Sequence, residues 1–148
     1  MTSGGMSIEF DQVTLAKVMK QLQALEDVDQ SKAVQAGLTK GVDYINKYVR
    51  RATKTEFKVR KGNLSSSVMR KYVKKRAAAY GAFSRPKGAA AHLLEYGTKE
   101  RYTRKGYYRG RIVPTYFKTI IVDTKKDTAM RIAADAISSE IYRILSRN

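Results

Sequence analysis

The spacing of apolar residues changes period along this chain, and few folds accommodate the change. From Asp11 onward Leu15, Val18, Met19, Leu22 and Leu25 lie three and four residues apart, and Val34, Leu38, Val42, Ile45 and Val49 resume that spacing after the acidic break Glu26-Asp27-Val28-Asp29. A three-and-four spacing puts side chains on one face of a helix, whereas strand side chains alternate between faces. The first stretch predicts a helix of about three turns capped by Asp11 or Thr14, and the second a longer helix capped by Ser31 and reaching about Lys54.

Past Phe57 the helical spacing stops. Gly62-Asn63 marks a turn, with Asn63 able to cap a short helical turn over Leu64, Ser65, Ser66 and Ser67. Val68 to Lys75 alternates apolar and charged residues and Ala77 to Phe83 reads as a small-residue strand, so the two predict an antiparallel hairpin. Arg85-Pro86-Lys87-Gly88 is a turn, and Ala89 to Tyr96 is a short apolar segment that ends at Gly97. Lys99 to Arg111 has neither period and is expected to be an exposed, mobile loop. Ile112, Val113, Tyr116, Phe117, Ile120, Ile121 and Val122 then supply β-favouring bulk, which Pro114 confines to an edge or a bend. Thr124 and Asp127 resemble a capping box, followed by Met130, Ala133, Ala134, Ile137, Ile141, Ile144 and Leu145 on one face of a C-terminal amphipathic helix.

Helix, helix, strands, loop, strand, helix is the layout of an α+β fold: a small antiparallel sheet packed against two or three helices, among them the long helix of the N-terminal half and the C-terminal one. At 148 residues one domain over 11–148 is expected, behind a Gly/Ser-rich tail, 1–10, read as disordered. So small a sheet leaves an open edge, a natural place for chains to pair.

Charge narrows the functions. Of the net +17, residues 50–111 carry nearly all, with 19 Lys/Arg against 3 Asp/Glu. Such a concentration favours a polyanion such as nucleic acid or an acidic protein surface. The chain has no cysteine and one histidine, His92, which removes thiol chemistry and leaves almost no ligands for a transition metal, so neither metal nor cofactor is expected. His92 reads as packed or hydrogen-bonded in the fold more readily than as a catalytic base. No apolar run approaches the ~20 residues of a membrane span and no signal segment opens the chain.

Carboxylates for acid-base work are equally scarce, because the basic segment holds only Glu56, Glu95 and Glu100. The chain therefore reads as non-enzymatic. The candidate contact residues are Arg101, Tyr102, Arg104, Lys105, Tyr107, Tyr108, Arg109 and Arg111, since cations neutralise phosphates while tyrosines stack on bases, and since Tyr and Arg also dominate protein interfaces. A ribonuclease-like use of the same residues is weighed against the rigidity that catalysis demands. Gly37 and Gly41 share one helical stripe at about 1 kcal/mol each relative to alanine, a cost met either by close approach of another element, such as a neighbouring subunit, or by tolerance in a helix held by its apolar face.

Three landmarks carry a resemblance from about Ser31 to the end. They are Lys61-Gly62-Asn63-Leu64 before Ser65, Ser66 and Ser67; Ala90 to Thr98, whose core is Glu95-Tyr96-Gly97-Thr98; and Pro114, Tyr116 and Phe117 ahead of the run from Thr124. In order and spacing the chain resembles the neck or tail-completion proteins of long-tailed bacteriophages, the family related to minor tail protein Z of lambda-like phages. It departs at Lys61, where threonine is usual, at Ala90, where tyrosine is usual, and in lacking a second proline in the third landmark.

The resemblance implies a virion subunit in the head-tail connector region, found in the host cytoplasm during assembly. It implies a homo-oligomeric ring between head-closure or connector proteins and the tail terminator or tail tube, with DNA passing through its centre. On that reading the loop from Lys99 to Arg111 and the Gly37/Gly41 stripe lie at contacts made only on assembly, Gly97 takes a positive φ, and Glu95 accepts hydrogen bonds from backbone or arginine. The alternative is a free-standing basic nucleic-acid-binding protein.

Overall fold

In the computed structural model, residues 12–57 and 63–147 are described. The tail over 1–10, the Asp11 cap and Gly62 lie outside the described residues, as does the side chain of Asn63.

Helix α1 (Gln12–Leu22) buries Val18 alone among its residues, and the chain then turns through Leu25 into α2 (Asp27–Thr55). The long helix starts before Ser31, a correction with a local cause. Asp27 and Asp29, read as part of a break, occupy the first turn, where carboxylates complement the positive end of the helix. Gln30 reinforces the entry, its side-chain amide donating to the Leu25 carbonyl at 2.7 Å.

One helical turn, α3 (Asn63–Ser66), leads into β1 (Val68–Val73), which pairs antiparallel with β2 (Ala78–Phe83) in a register running from Val68↔Phe83 to Val73↔Ala78. Between the strands Lys74–Arg76 forms a 3₁₀ turn, closed by Ala77 at φ 45°. A two-stranded ribbon is marginal in water by itself. Here α2 backs both strands, and its Arg50 and Asn46 side chains donate to the Val68 and Met69 carbonyls at 3.0 and 3.3 Å.

After α4 (Ala91–Tyr96) the chain makes an excursion and returns as α5 (Phe117–Leu145). Among the described residues the sheet has two strands, so the strand expected over Ile112–Val122 is absent. From Phe117 that segment is already helical, and Thr124 sits in the helix interior with its hydroxyl donating to the Ile120 carbonyl at 2.9 Å. The β-branched run fits a helix because Phe117, Ala129, Ala133, Ile137 and Ile141 place one buried face against α2.

Helices α2 and α5 run antiparallel as the spine, Gly37 meeting Ala133 and Ile137 while Gly41 meets Ala129 and Ala133. Two apolar clusters form along them. Val18, Leu25 and Ala33 pack with Ile137, Ile141 and Ile144 at one end. Ile45, Val49, Ala52 and Val68 pack with Phe117 and Ala129 at the other. Phe117 is 3 % exposed and takes the edges or faces of Phe57 and Phe83 at 5.1 and 6.2 Å between centroids, an arrangement that adds to simple burial.

Candidate functional site: a clamp and a projecting finger

The residues singled out around Glu95 converge on one structural task. Glu95, in the last turn of α4, has 1 % of its surface exposed, and burying a carboxylate is costly unless donors surround it. The donors are the first amides of α5. The Lys118 N–H donates to Oε2 at 2.8 Å, the Thr119 N–H to Oε1 at 3.1 Å, and the Thr119 hydroxyl to Oε1 at 2.6 Å. Glu95 thus does for α5 what a local Ser or Asp cap does for most helices, from 23 residues upstream. The residue at the ordinary capping position, Tyr116, lies in the left-handed region at φ 49° and makes no side-chain cap.

The next residues extend the clamp. Gly97 takes φ 74° and ψ −173°, a conformation open almost only to glycine, and an added Cβ there would stand 2.6 Å from the Ile112 carbonyl oxygen. Thr98 exchanges two bonds with Ile112: its amide donates to the Ile112 carbonyl and its Oγ1 accepts the Ile112 N–H, both at 2.9 Å. The amides of Thr115 and Tyr116 donate to the carbonyls of Leu94 and Glu95 at 3.0 and 3.1 Å. Tyr96 points outward, 60 % exposed, with the Lys118 ammonium 6.0 Å from its ring centroid. Substituting Thr98→Val removes one acceptor from a half-buried amide, so a loss of about 1 kcal/mol is expected. Faster hydrogen exchange at Ile112, with α2 amides unchanged, would verify it.

The clamp closes the base of residues 99–111. The segment is exposed and contains no regular strand, as its lack of period predicts, and it is held as a hydrogen-bonded ribbon around an isolated bridge. Arg101 N–H donates to the Gly110 carbonyl at 3.1 Å, Arg109 N–H to the Arg101 carbonyl at 2.6 Å, and Thr103 N–H to the Tyr107 carbonyl at 2.8 Å. Thr103 Oγ1 accepts the Tyr107 N–H at 3.0 Å, and Gly106, at φ 80°, sits in the turn that reverses the chain, while Gly110, also at positive φ, lies at the base of the ribbon. Tyr102 and Tyr108 bridge across the ribbon with ring centroids 5.5 Å apart, and the Tyr102 hydroxyl donates to Glu100. Nothing in an apolar period announces such a ribbon, because both of its faces are solvated.

Of the sequence candidates, Arg101, Tyr102, Arg104, Lys105, Tyr107, Tyr108, Arg109 and Arg111 are all exposed on this finger. Tyr107 is the most exposed of the three tyrosines, at 70 %. Gly37 and Gly41 are elsewhere and are buried beneath α5 of the same chain, so the close approach that the stripe called for is met within the molecule. Leu64 is buried, and Ser65 donates to the Arg50 carbonyl at 3.3 Å, which ties α3 to α2. His92 is exposed on α4. Sequence reasoning missed Lys118, Thr119 and Ile112. The available signal was Glu95 itself, one of only three acids within a strongly basic segment.

The fold is a small α+β one, and the residues of the clamp are spent on holding a ribbon in place. The family model described as "Bacteriophage HK97-gp10, putative tail-component" matches residues 16–97, more than half of the chain. The protein belongs to this HK97-gp10-like family of phage tail components, and it therefore has a structural role in a bacteriophage particle beside other virion proteins. The match runs from within α1 to Gly97, leaving the finger and α5 beyond it. Comparison with curated proteins and with solved structures gives no match.

Proposed function

We propose that this protein is a non-enzymatic neck subunit that closes into a homo-oligomeric ring, completes the tail and joins it to the head. The observation that carries the reading is the ordered, outward finger of tyrosines and arginines anchored on a buried carboxylate. Ordering such a segment costs conformational entropy, and an isolated chain gains little from presenting Tyr107, Tyr108 and Arg109 to water. A neighbouring copy gains an anchor of the residue types that carry most interface energy. A finger on one surface received by a different surface of the next copy is a heterologous contact, the kind that repeats into a ring when its rotation closes.

The flanking rings, head-closure or connector on one side and tail terminator or tail tube on the other, would take the remaining surfaces, with phage DNA in the lumen. The two apolar clusters share α2 and α5, which supports a single domain over 11–148. Among the described residues no helix is long and apolar enough to cross a membrane.

The test is Tyr107→Ala with Tyr108→Ala and Arg109→Ala, read by native mass spectrometry and by attachment to purified heads and tails. Hot-spot residues cost upward of 2 kcal/mol each on truncation, so self-association should weaken by at least about 30-fold while the melting temperature holds. Identical oligomers from variant and parent would refute the finger's role, and failure of the parent to join heads to tails would refute the neck reading.

A further inference from the structure

A second cationic surface lies on the spine, away from the finger. From Tyr44 to Thr55, α2 carries Lys47, Arg50, Arg51 and Lys54 and no carboxylate. Arg50 is turned toward β1, where it donates to the Val68 carbonyl. Lys47, Arg51 and Lys54 remain exposed, at positions i, i+4 and i+7 that line up over about 10 Å of one helical face.

Beside them the antiparallel α5 sets the Lys125 ammonium 4.5 Å from the Tyr48 ring centroid. Tyr44 meets Tyr48 edge to face at 5.2 Å, with their hydroxyls 3.4 Å apart, and α5 brings Arg131 near enough to act on Tyr44 electrostatically. Lys47, Tyr48, Arg50, Arg51, Lys54 and Thr55 line an open concavity of about 430 Å³. Among the described residues three ion pairs form, Lys32–Asp29, Arg70–Asp43 and Arg143–Glu140, and none draws on Lys47, Arg51, Lys54 or Lys125.

We infer that this α2–α5 face docks the phosphate backbone of duplex DNA without reading its sequence. Three features decide among polyanions. Uncompensated cations at one helical pitch suit a ligand whose charge is continuous, and duplex DNA presents one negative charge per roughly 1.7 Å of axis. An acidic protein partner would be expected to meet an apolar centre that sheds its water, and this concavity has Tyr48 as its one aromatic with charged side chains around it. Single-stranded nucleic acid binds by stacking bases on free aromatic faces, whereas the Tyr48 ring is occupied by Lys125 on its face and Tyr44 at its side. What is left for the tyrosines is to hold the cations and offer hydroxyls to phosphate oxygens.

The inference does not rest on ring assembly, because the face is complete within one chain. It is tested on the full chain with a fluorescently labelled 30-base-pair duplex of arbitrary sequence, by anisotropy across a salt series. Lys47→Gln with Arg51→Gln should weaken binding at least about tenfold at low salt and flatten the log–log salt slope by about 1.8, the counterion release of two phosphate contacts. Both positions are exposed, so melting should be unchanged, and a second pair, Arg104→Gln with Arg109→Gln on the finger, should leave the affinity for DNA within about twofold. The inference is overturned if the parent chain does not bind the duplex, if the finger pair rather than the α2 pair abolishes binding, or if a single strand or an RNA duplex of the same length binds more tightly than DNA. None of those outcomes bears on whether the finger joins subunits, which the oligomer measurement decides.

Discussion

Glu95→Ala is expected to lower the free energy of unfolding by about 3 kcal/mol, combining the ~1 kcal/mol of a lost helix cap with the cost of leaving donors unpaired next to a newly made void. The carboxylate is 1 % exposed, and three donors from α5 depend on it. For a chain of this length the melting temperature should fall by roughly 10 °C. Glu95→Gln keeps the shape but trades one acceptor for a donor that points at backbone N–H, and it gives up the charge that complements the helix end, so a loss of about 1 to 2 kcal/mol is expected. Thermal and urea unfolding of the two variants check the order. If the alanine variant unfolds within about 0.5 kcal/mol of the parent, Glu95 does not cap α5 and the clamp is misread.

Gly37→Ala is expected to destabilise the protein by about 2 kcal/mol even though alanine is favoured over glycine by ~1 kcal/mol inside a helix. Its Cβ would stand 2.2 Å from Ile137 Cγ1 and 2.6 Å from the Ala133 carbonyl oxygen. The first contact is the root of a fully buried β-branched side chain and the second is backbone, so neither can yield by itself and α2 and α5 must part. Gly41→Ala is the control: its new Cβ would lie 3.1 Å from the Ala129 carbonyl oxygen and 3.2 Å from Ala133 Cβ. A shift of a few tenths of an ångström relieves that, and the gain in helix propensity should bring the net change near zero. Combining Gly37→Ala with Ile137→Ala should cost less than the sum of the two, because the truncation removes part of the clash. A Gly37→Ala protein as stable as the parent would mean that the spine is more loosely packed than its geometry states.

The elements that local pattern could reveal were legible. The β1–β2 hairpin follows from alternation over Val68 to Lys75 and small residues over Ala77 to Phe83, and the closing helix from Met130 onward follows from one apolar face. The positive φ of Gly97, ending the segment from Ala89, was also readable, because a segment that stops at glycine ordinarily stops in the left-handed region. The start of α5 was not. Ile120, Ile121 and Val122 favour strands intrinsically, and the cap that overrides that preference comes from Glu95 in another helix. The finger was hidden for a different reason: a ribbon solvated on both sides needs no apolar alternation.

By itself the sequence determined the period of each long helix, the hairpin, the concentration of positive charge between residues 50 and 111 and the landmarks of the family, because each is a property of neighbours along the chain. Only the tertiary structure decided that Glu95 caps α5, that Gly37 and Gly41 are filled by α5 of the same chain, that residues 99–111 form a paired finger, and that Lys125 stands over Tyr48 beside a row of cations without an ion-pair partner among the described residues. Those facts depend on which surfaces meet when α2 and α5 pack antiparallel, a choice made by close packing over long sequence separations that no local spacing encodes.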